Sequence, residues 1–93
     1  MSEQPGLPEA GDVLLSAAAS LVNLAGIRLT EKEHRNPAKA KEAIDAAREL
    51  LPLCPQEEIG PIREALSQVQ MMYVKESDER AQARSKIWTP PGA

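Results

Sequence analysis

The sequence has few side chains from which to build a large hydrophobic core. It contains no Phe, one Tyr and one Trp among 93 residues, and alanine is its most frequent apolar residue. Burial of each such side chain therefore stabilises the fold by an amount near the low end of the about 1.5 to 3 kcal/mol expected for a large side chain. A domain of this size with such a core is only marginally stable. This composition favours a self-associating protein over an isolated monomer.

The chain also lacks an excess of positive charge. Lys and Arg number 11 against 14 Asp and Glu, which gives a net charge of −3. Nucleic-acid binding through the phosphate backbone needs a surplus of basic residues that displaces counterions. The charge balance disfavours broad binding of this kind and leaves only a local basic patch open.

Groups that build catalytic or metal sites are scarce. Cys54 is the only cysteine, so the chain can form no internal disulfide, and a reducing cytoplasm is the simplest setting. His34, flanked by Glu33 and Arg35, is typical of a solvated loop residue. No phosphate-binding glycine loop, HExxH, CxxC or nucleophile elbow is present. We therefore expect no catalytic residue, no metal ligand and no cofactor.

The longest apolar segment, VLLSAAASLVNLAGI, ends at Arg28 and follows a segment with acidic but no basic residues. It is shorter than the about 18 residues of a membrane span, and a signal peptide would have a positive start. The segment predicts a soluble, cytoplasmic protein that makes no membrane contact.

Helical periodicity predicts an all-α protein with three segments. Residues 1–10 are predicted to be a disordered leader, 11–79 a three-helix domain, and 80–93 a charged helical arm with a Pro-rich tail. The first helix is predicted from Asp12, as N-cap, to Ala25, with Gly26 as the left-handed residue that ends it. Its buried stripe comprises Leu14, Ala17, Ala18, Leu21, Val22 and Ala25.

The opposite side of this first helix carries no charge. It presents a second stripe of small or weakly polar residues, namely Ser16, Ala19, Ser20 and Asn23. One interpretation is that these are merely exposed residues of adequate helix propensity. The other is that a second copy of the chain packs there to form a homodimer, since small residues allow two helices to approach closely.

The second and third helices are predicted to be antiparallel neighbours joined by a short connection. Asn36 as N-cap and Pro37 in the first turn mark the start of the second helix. Pro61 either kinks the third helix or marks its start. Its buried stripe comprises Ile62, Ala65, Leu66, Val69, Met72 and Tyr73. Arg48 and Arg63 fall on or near polar faces, an arrangement that disfavours an inward-facing anion site.

Beyond Val74 the sequence stays helix-forming but offers almost nothing to bury, which predicts an exposed arm. The arm and tail carry our predicted partner-binding residues, Arg84, Lys86, Ile87 and Trp88. An aromatic anchor beside Ile and two prolines suits docking into a protein groove, whereas the nearby basic residues leave RNA open. Three contacts of Trp88 stay open from the sequence: with its own domain, with a second copy of the chain, or with another molecule.

Three stretches resemble the small bacterial family called domain of unknown function 1844. They are LLSAAASLVNLAGI, AKAKEAIDAARELLP and GPIREALSQVQMMYVKES, with Ala40, Ile44 and Asp45 in the pattern A-x-x-x-I-D. The similarity covers roughly residues 12–77. It implies a short cytoplasmic helical protein without an assigned activity, and it slightly favours a translation-linked or RNA-linked role.

Two functional classes stay open from the sequence. The first is a non-enzymatic interaction or structural module that binds a protein or ribonucleoprotein partner. The second is a small dimeric helical enzyme or ligand-binding protein whose pocket lies between two chains.

Overall fold

The computed structural model describes residues 7–87, with side chains through Asp78. Within this range the chain contains three α-helices and no strand, which confirms the predicted all-α, three-helix fold. Short 3₁₀ turns at Lys32–His34, Leu51–Leu53 and Gln56–Glu58 lie in the two connections. The helices are α1 (Ala10–Thr30), α2 (Pro37–Leu50) and α3 (Gly60–Ile87).

Helix α1 is longer at both ends than the sequence predicted. Its N-cap is Glu9 rather than Asp12, and no side chain caps it. Gly26 does not end the helix, because α1 continues to Thr30. The physical reason is Leu29, which is only 5% exposed and belongs to the core. Burial of that side chain offsets the about 1 kcal/mol that an interior glycine costs a helix.

Helix α2 begins where the sequence predicted. The Asn36 side-chain oxygen accepts a hydrogen bond from the Lys39 backbone N–H at 3.2 Å, and Pro37 is the first helical residue. The Asn36 oxygen satisfies a backbone N–H that has no partner within the helix, and Pro37 has no N–H that would need one. The helix ends at Leu50, two residues before Pro52.

Helix α3 starts at Gly60, so Pro61 lies in its first turn and marks the start of the helix. Gln56–Glu58 forms a separate 3₁₀ turn before it. The Arg63 backbone N–H donates to the Ile59 carbonyl at 2.8 Å, which closes the first turn. The predicted choice between a kink and a start is thereby decided in favour of a start.

The helices form an α1–α2 hairpin on which α3 packs. The start of α1 meets the connection after α2, because a Cβ on Gly11 would lie 2.8 Å from the Pro55 ring. Gly26 lies beside Val69, with 3.8 Å between its would-be Cβ and Cγ1 of Val69, so α3 runs parallel to α1 and antiparallel to α2. Alanines at 0 to 4% exposure fill much of the core, namely Ala18, Ala25, Ala40, Ala43 and Ala47.

Candidate interaction surfaces

The first candidate surface is the outer face of α1, which lies opposite the buried residues Ala18 and Val22. We define it by Val13, Ser16, Ala19, Ser20, Asn23, Leu24 and Ile27. The four predicted interface residues, Ser16, Ala19, Ser20 and Asn23, are all exposed within the single chain. Two larger apolar side chains flank them, since Val13 is 51% and Leu24 is 43% exposed.

Sequence reasoning missed Val13 and Leu24 as members of this face. The signal was present in their spacing, because Val13, Ser16, Ser20, Leu24 and Ile27 recur at helical intervals on one side of α1. The face is therefore more apolar than its small residues alone indicate.

The apolar character of α1 also bears on the membrane question. By length and composition alone, α1 is long and apolar enough to cross a membrane. A core helix of a soluble protein or a signal sequence passes the same test, so this is weak evidence. The helix is compatible with a soluble protein and with a membrane-associated one.

The second candidate surface is an apolar patch on α3, which we call the α3 patch. Met71 is 72% and Val74 is 57% exposed, so two large side chains face solvent one turn apart. They border a shallow groove of about 390 Å³ lined by Ser67, Gln70, Met71, Val74, Lys75 and Asp78. Met72, which we predicted in the buried stripe, is 36% exposed.

The arm that follows this patch is helical as far as Ile87. Arg35, in the connection between α1 and α2, forms an ion pair with Glu76. This contact places Glu76 of α3 beside the α1–α2 connection. At 1.5 Å per residue, the helix from Glu76 to Ile87 is about 16 Å long. The predicted residues Arg84, Lys86 and Ile87 lie on this stretch, where only the backbone is described, and Trp88 lies outside the described residues.

A third feature is a depression between α2 and α3. Arg48 from α2 and Arg63 from α3 line it together with Gln56 and Gln70, and its volume is about 470 Å³. The sequence placed these arginines on or near separate polar faces, and only the packing of the two helices brings them to one depression. Guanidinium groups are strong donors to carboxylates and phosphates.

Lys41, His34 and Cys54 lie outside these surfaces. The Asp45 carboxylate accepts a 2.8 Å hydrogen bond from Lys41, and this bond and the negative charge raise the pKa of the exposed Lys41 ammonium. His34 is exposed, and among residues 7–78, whose side chains the structure describes, no group of three His, Cys, Asp or Glu is placed to hold a metal ion. Cys54 is buried, and its thiol donates to the Leu50 carbonyl at 3.4 Å.

No family model, curated protein or solved structure matches the chain. The resemblance to domain of unknown function 1844 therefore stays a prediction, and the functional argument depends on the surfaces described above.

Proposed function

We propose that the protein is a non-enzymatic interaction module of the cytoplasm, a homodimer that binds a protein partner through its helical faces and C-terminal tail. The α3 patch carries the partner-binding part of this proposal. Met71 and Val74 expose large apolar side chains in a part of the fold where neither contributes to the core.

The surroundings of the patch favour a protein partner. Lys75 and Asp78 flank the apolar centre, which gives an apolar middle with a polar rim, as protein interfaces have. Methionine adapts its shape to a partner surface, and exposed apolar clusters commonly mark contact sites. The patch also leads into the arm, so the partner would contact a continuous stretch of α3 and then the tail.

RNA is the weaker choice of partner. The net charge is −3, and the basic residues of the arm are limited to Arg80, Arg84 and Lys86. Single-stranded RNA is usually held by several stacked aromatics within a basic groove. A ribonucleoprotein contact of this chain would therefore be made mainly through the protein component, with any translation-linked role arising from that component.

The cytoplasmic part of the proposal draws support from the packing of α1. Ala18, Val22, Ala25 and Leu29 are buried against the other helices. If α1 crossed a bilayer alone, these side chains would leave the core, and α2 and α3 would lose the surface they pack on. The apolar character of α1 is accounted for by that core together with a contact on its outer face.

A pair of variants tests the α3 contact. We expect deletion of residues 80–93, and separately Met71→Lys, to abolish recovery of the protein partner from a lysate, because each removes part of one apolar contact. For Met71→Lys, circular dichroism and light-scattering mass should stay unchanged, since Met71 is 72% exposed. The deletion should lose only the helical signal and mass of the removed residues and keep the oligomeric state.

The matched control is Leu53→Lys, which adds the same charge at a 65% exposed leucine outside the patch and should leave recovery intact. Nuclease treatment of the lysate should not reduce recovery; if it does, RNA carries the contact. Recovery that is unaffected by both the deletion and Met71→Lys refutes the proposal.

A second candidate function is binding of a small anion, and the shared depression of Arg48 and Arg63 is the observation that favours it. The depression lies within one chain, unlike the pocket between two chains of the predicted enzymatic or ligand-binding alternative. This candidate predicts that a dicarboxylate or phosphate compound raises the melting temperature. At 100 times its Kd, the compound should add about 2.7 kcal/mol to the free energy of unfolding. Arg48→Ala with Arg63→Ala should remove the shift, and no shift with any compound of these classes rejects the candidate.

A further inference from the structure

The outer face of α1 is open in the single chain, and its pattern specifies what can cover it. We propose that it packs against the same face of a second copy, with the two α1 helices antiparallel and the twofold axis at Ser20. This inference rests on the proposed homodimer and gives that dimer a surface, an orientation and a register.

The spacing of the face is symmetric about one residue. Val13, Ser16, Ser20, Leu24 and Ile27 follow one another at intervals of three, four, four and three positions. In an antiparallel pair centred on Ser20, each residue of this series therefore meets another member of the same series. A twofold contact requires such self-complementarity of one patch.

The sizes of the paired side chains are complementary in this register. Ser16 lies opposite Leu24 of the other copy, so a small residue receives a large one at both ends of the contact. Val13 lies opposite Ile27, and the two Ser20 residues meet at the crossing point. Small residues at a crossing let two helices approach closely, and alternation of small and large residues fills the space between them.

The charges at the two ends select the antiparallel orientation. Between Asp12 and Arg28 the helix has no charged residue. The Arg28 guanidinium donates to the His34 carbonyl at 3.1 Å, and neither Arg28 nor Asp12 forms an ion pair with another described residue. The antiparallel register places Asp12 at the same level along the helix axis as Arg28 of the other copy, at both ends. A parallel pair would oppose like charges at both ends, which disfavours association.

Cysteine cross-linking tests the register, with Cys54→Ser in every chain to remove the native thiol. We expect Ser20→Cys to form a disulfide-linked dimer by itself under mild oxidation. Val13→Cys alone should not, because its two copies would be about 21 Å apart along the helix axis, beyond the about 7 Å Cα separation of a disulfide. A mixture of Val13→Cys and Ile27→Cys chains should cross-link.

Cross-linking of Val13→Cys to itself would show a parallel pair and overturn the register. Light-scattering mass then tests the surface: we expect a twofold fall for Ser20→Glu and none for the matched serine variant Ser67→Glu on α3. A fall with Ser67→Glu alone would keep the homodimer and refute this face. A monomeric wild type would refute both the homodimer and this inference, while the partner contact of the arm is tested separately.

The membrane is the competing occupant of the face. Phosphatidylglycerol vesicles should not sediment the wild-type protein, because the second copy already covers the face. Sedimentation of the wild type that is lost in Ser20→Glu would show that lipid covers the face and would overturn the inference.

Discussion

Leu66→Ala is expected to lower the free energy of unfolding by about 2 to 4 kcal/mol. Leu66 is only 4% exposed and belongs to the core cluster that joins α3 to the hairpin. A domain of this length has a total stability of roughly 5 to 14 kcal/mol, so the loss is a large share of it. Alanine-rich packing has little capacity to collapse around the cavity, because alanine side chains cannot move to fill it. Urea unfolding followed by circular dichroism measures the change.

Met71→Ala is the matched control for this substitution. It also truncates a large apolar side chain of α3, but Met71 is 72% exposed, so its cost should stay within about 0.5 kcal/mol. Equal losses from the two variants would mean that α3 does not dock on the hairpin through Leu66. A loss confined to Leu66→Ala assigns the stability of α3 to the face that the structure buries.

The three helices were predictable because each has a local signal that agrees with its packing. Asn36 and Pro37 are the clearest example, since the N-cap oxygen and the first-turn proline act within four residues of chain. The helical spacing of Leu66 and Val69 predicted which side of α3 is buried, and both residues are buried. Signals of this kind need no knowledge of the rest of the fold.

The end of α1 could not be predicted because it depends on contacts distant in sequence. Gly26 at the close of an apolar run is typical of a helix end. The helix continues because Leu29 is buried and because α3 approaches Gly26 at Val69. Local propensity and tertiary packing conflict here, and packing decides the outcome.

The candidate surfaces were predictable in part for a similar reason. The lack of charge on one side of α1 is a property of the sequence, so Ser16 and Ser20 could be named as contact residues. Their exposure, and that of Val13 beside them, depends on how α2 and α3 cover the other side. The meeting of Arg48 and Arg63 at one depression depends wholly on the packing of α2 against α3.

Ala47→Leu is expected to destabilise the protein by about 1 to 3 kcal/mol, although leucine is the more hydrophobic residue. Ala47 is 0% exposed, and so are Ala18 and Ala25 of α1, so the hairpin core has small side chains on both helices. Three added carbons have no space there without moving α1 away from α2. Leu51 and Cys54, which follow α2 in the connection to α3, are buried as well and limit any shift of α2.

The control for this variant is Ala38→Leu, which makes the same change at an exposed position of α2. Its effect should stay within about 0.5 kcal/mol, because leucine and alanine are both good helix formers and the site is open. Thermal unfolding of both variants measures the difference. If Ala47→Leu were as stable as the wild type, the hairpin would have to contain free volume beside Ala47, which contradicts close packing of α1 on α2. A loss at Ala47 alone would show that alanine is required there because it lets the two helices approach, and this explains how a chain without Phe forms a core.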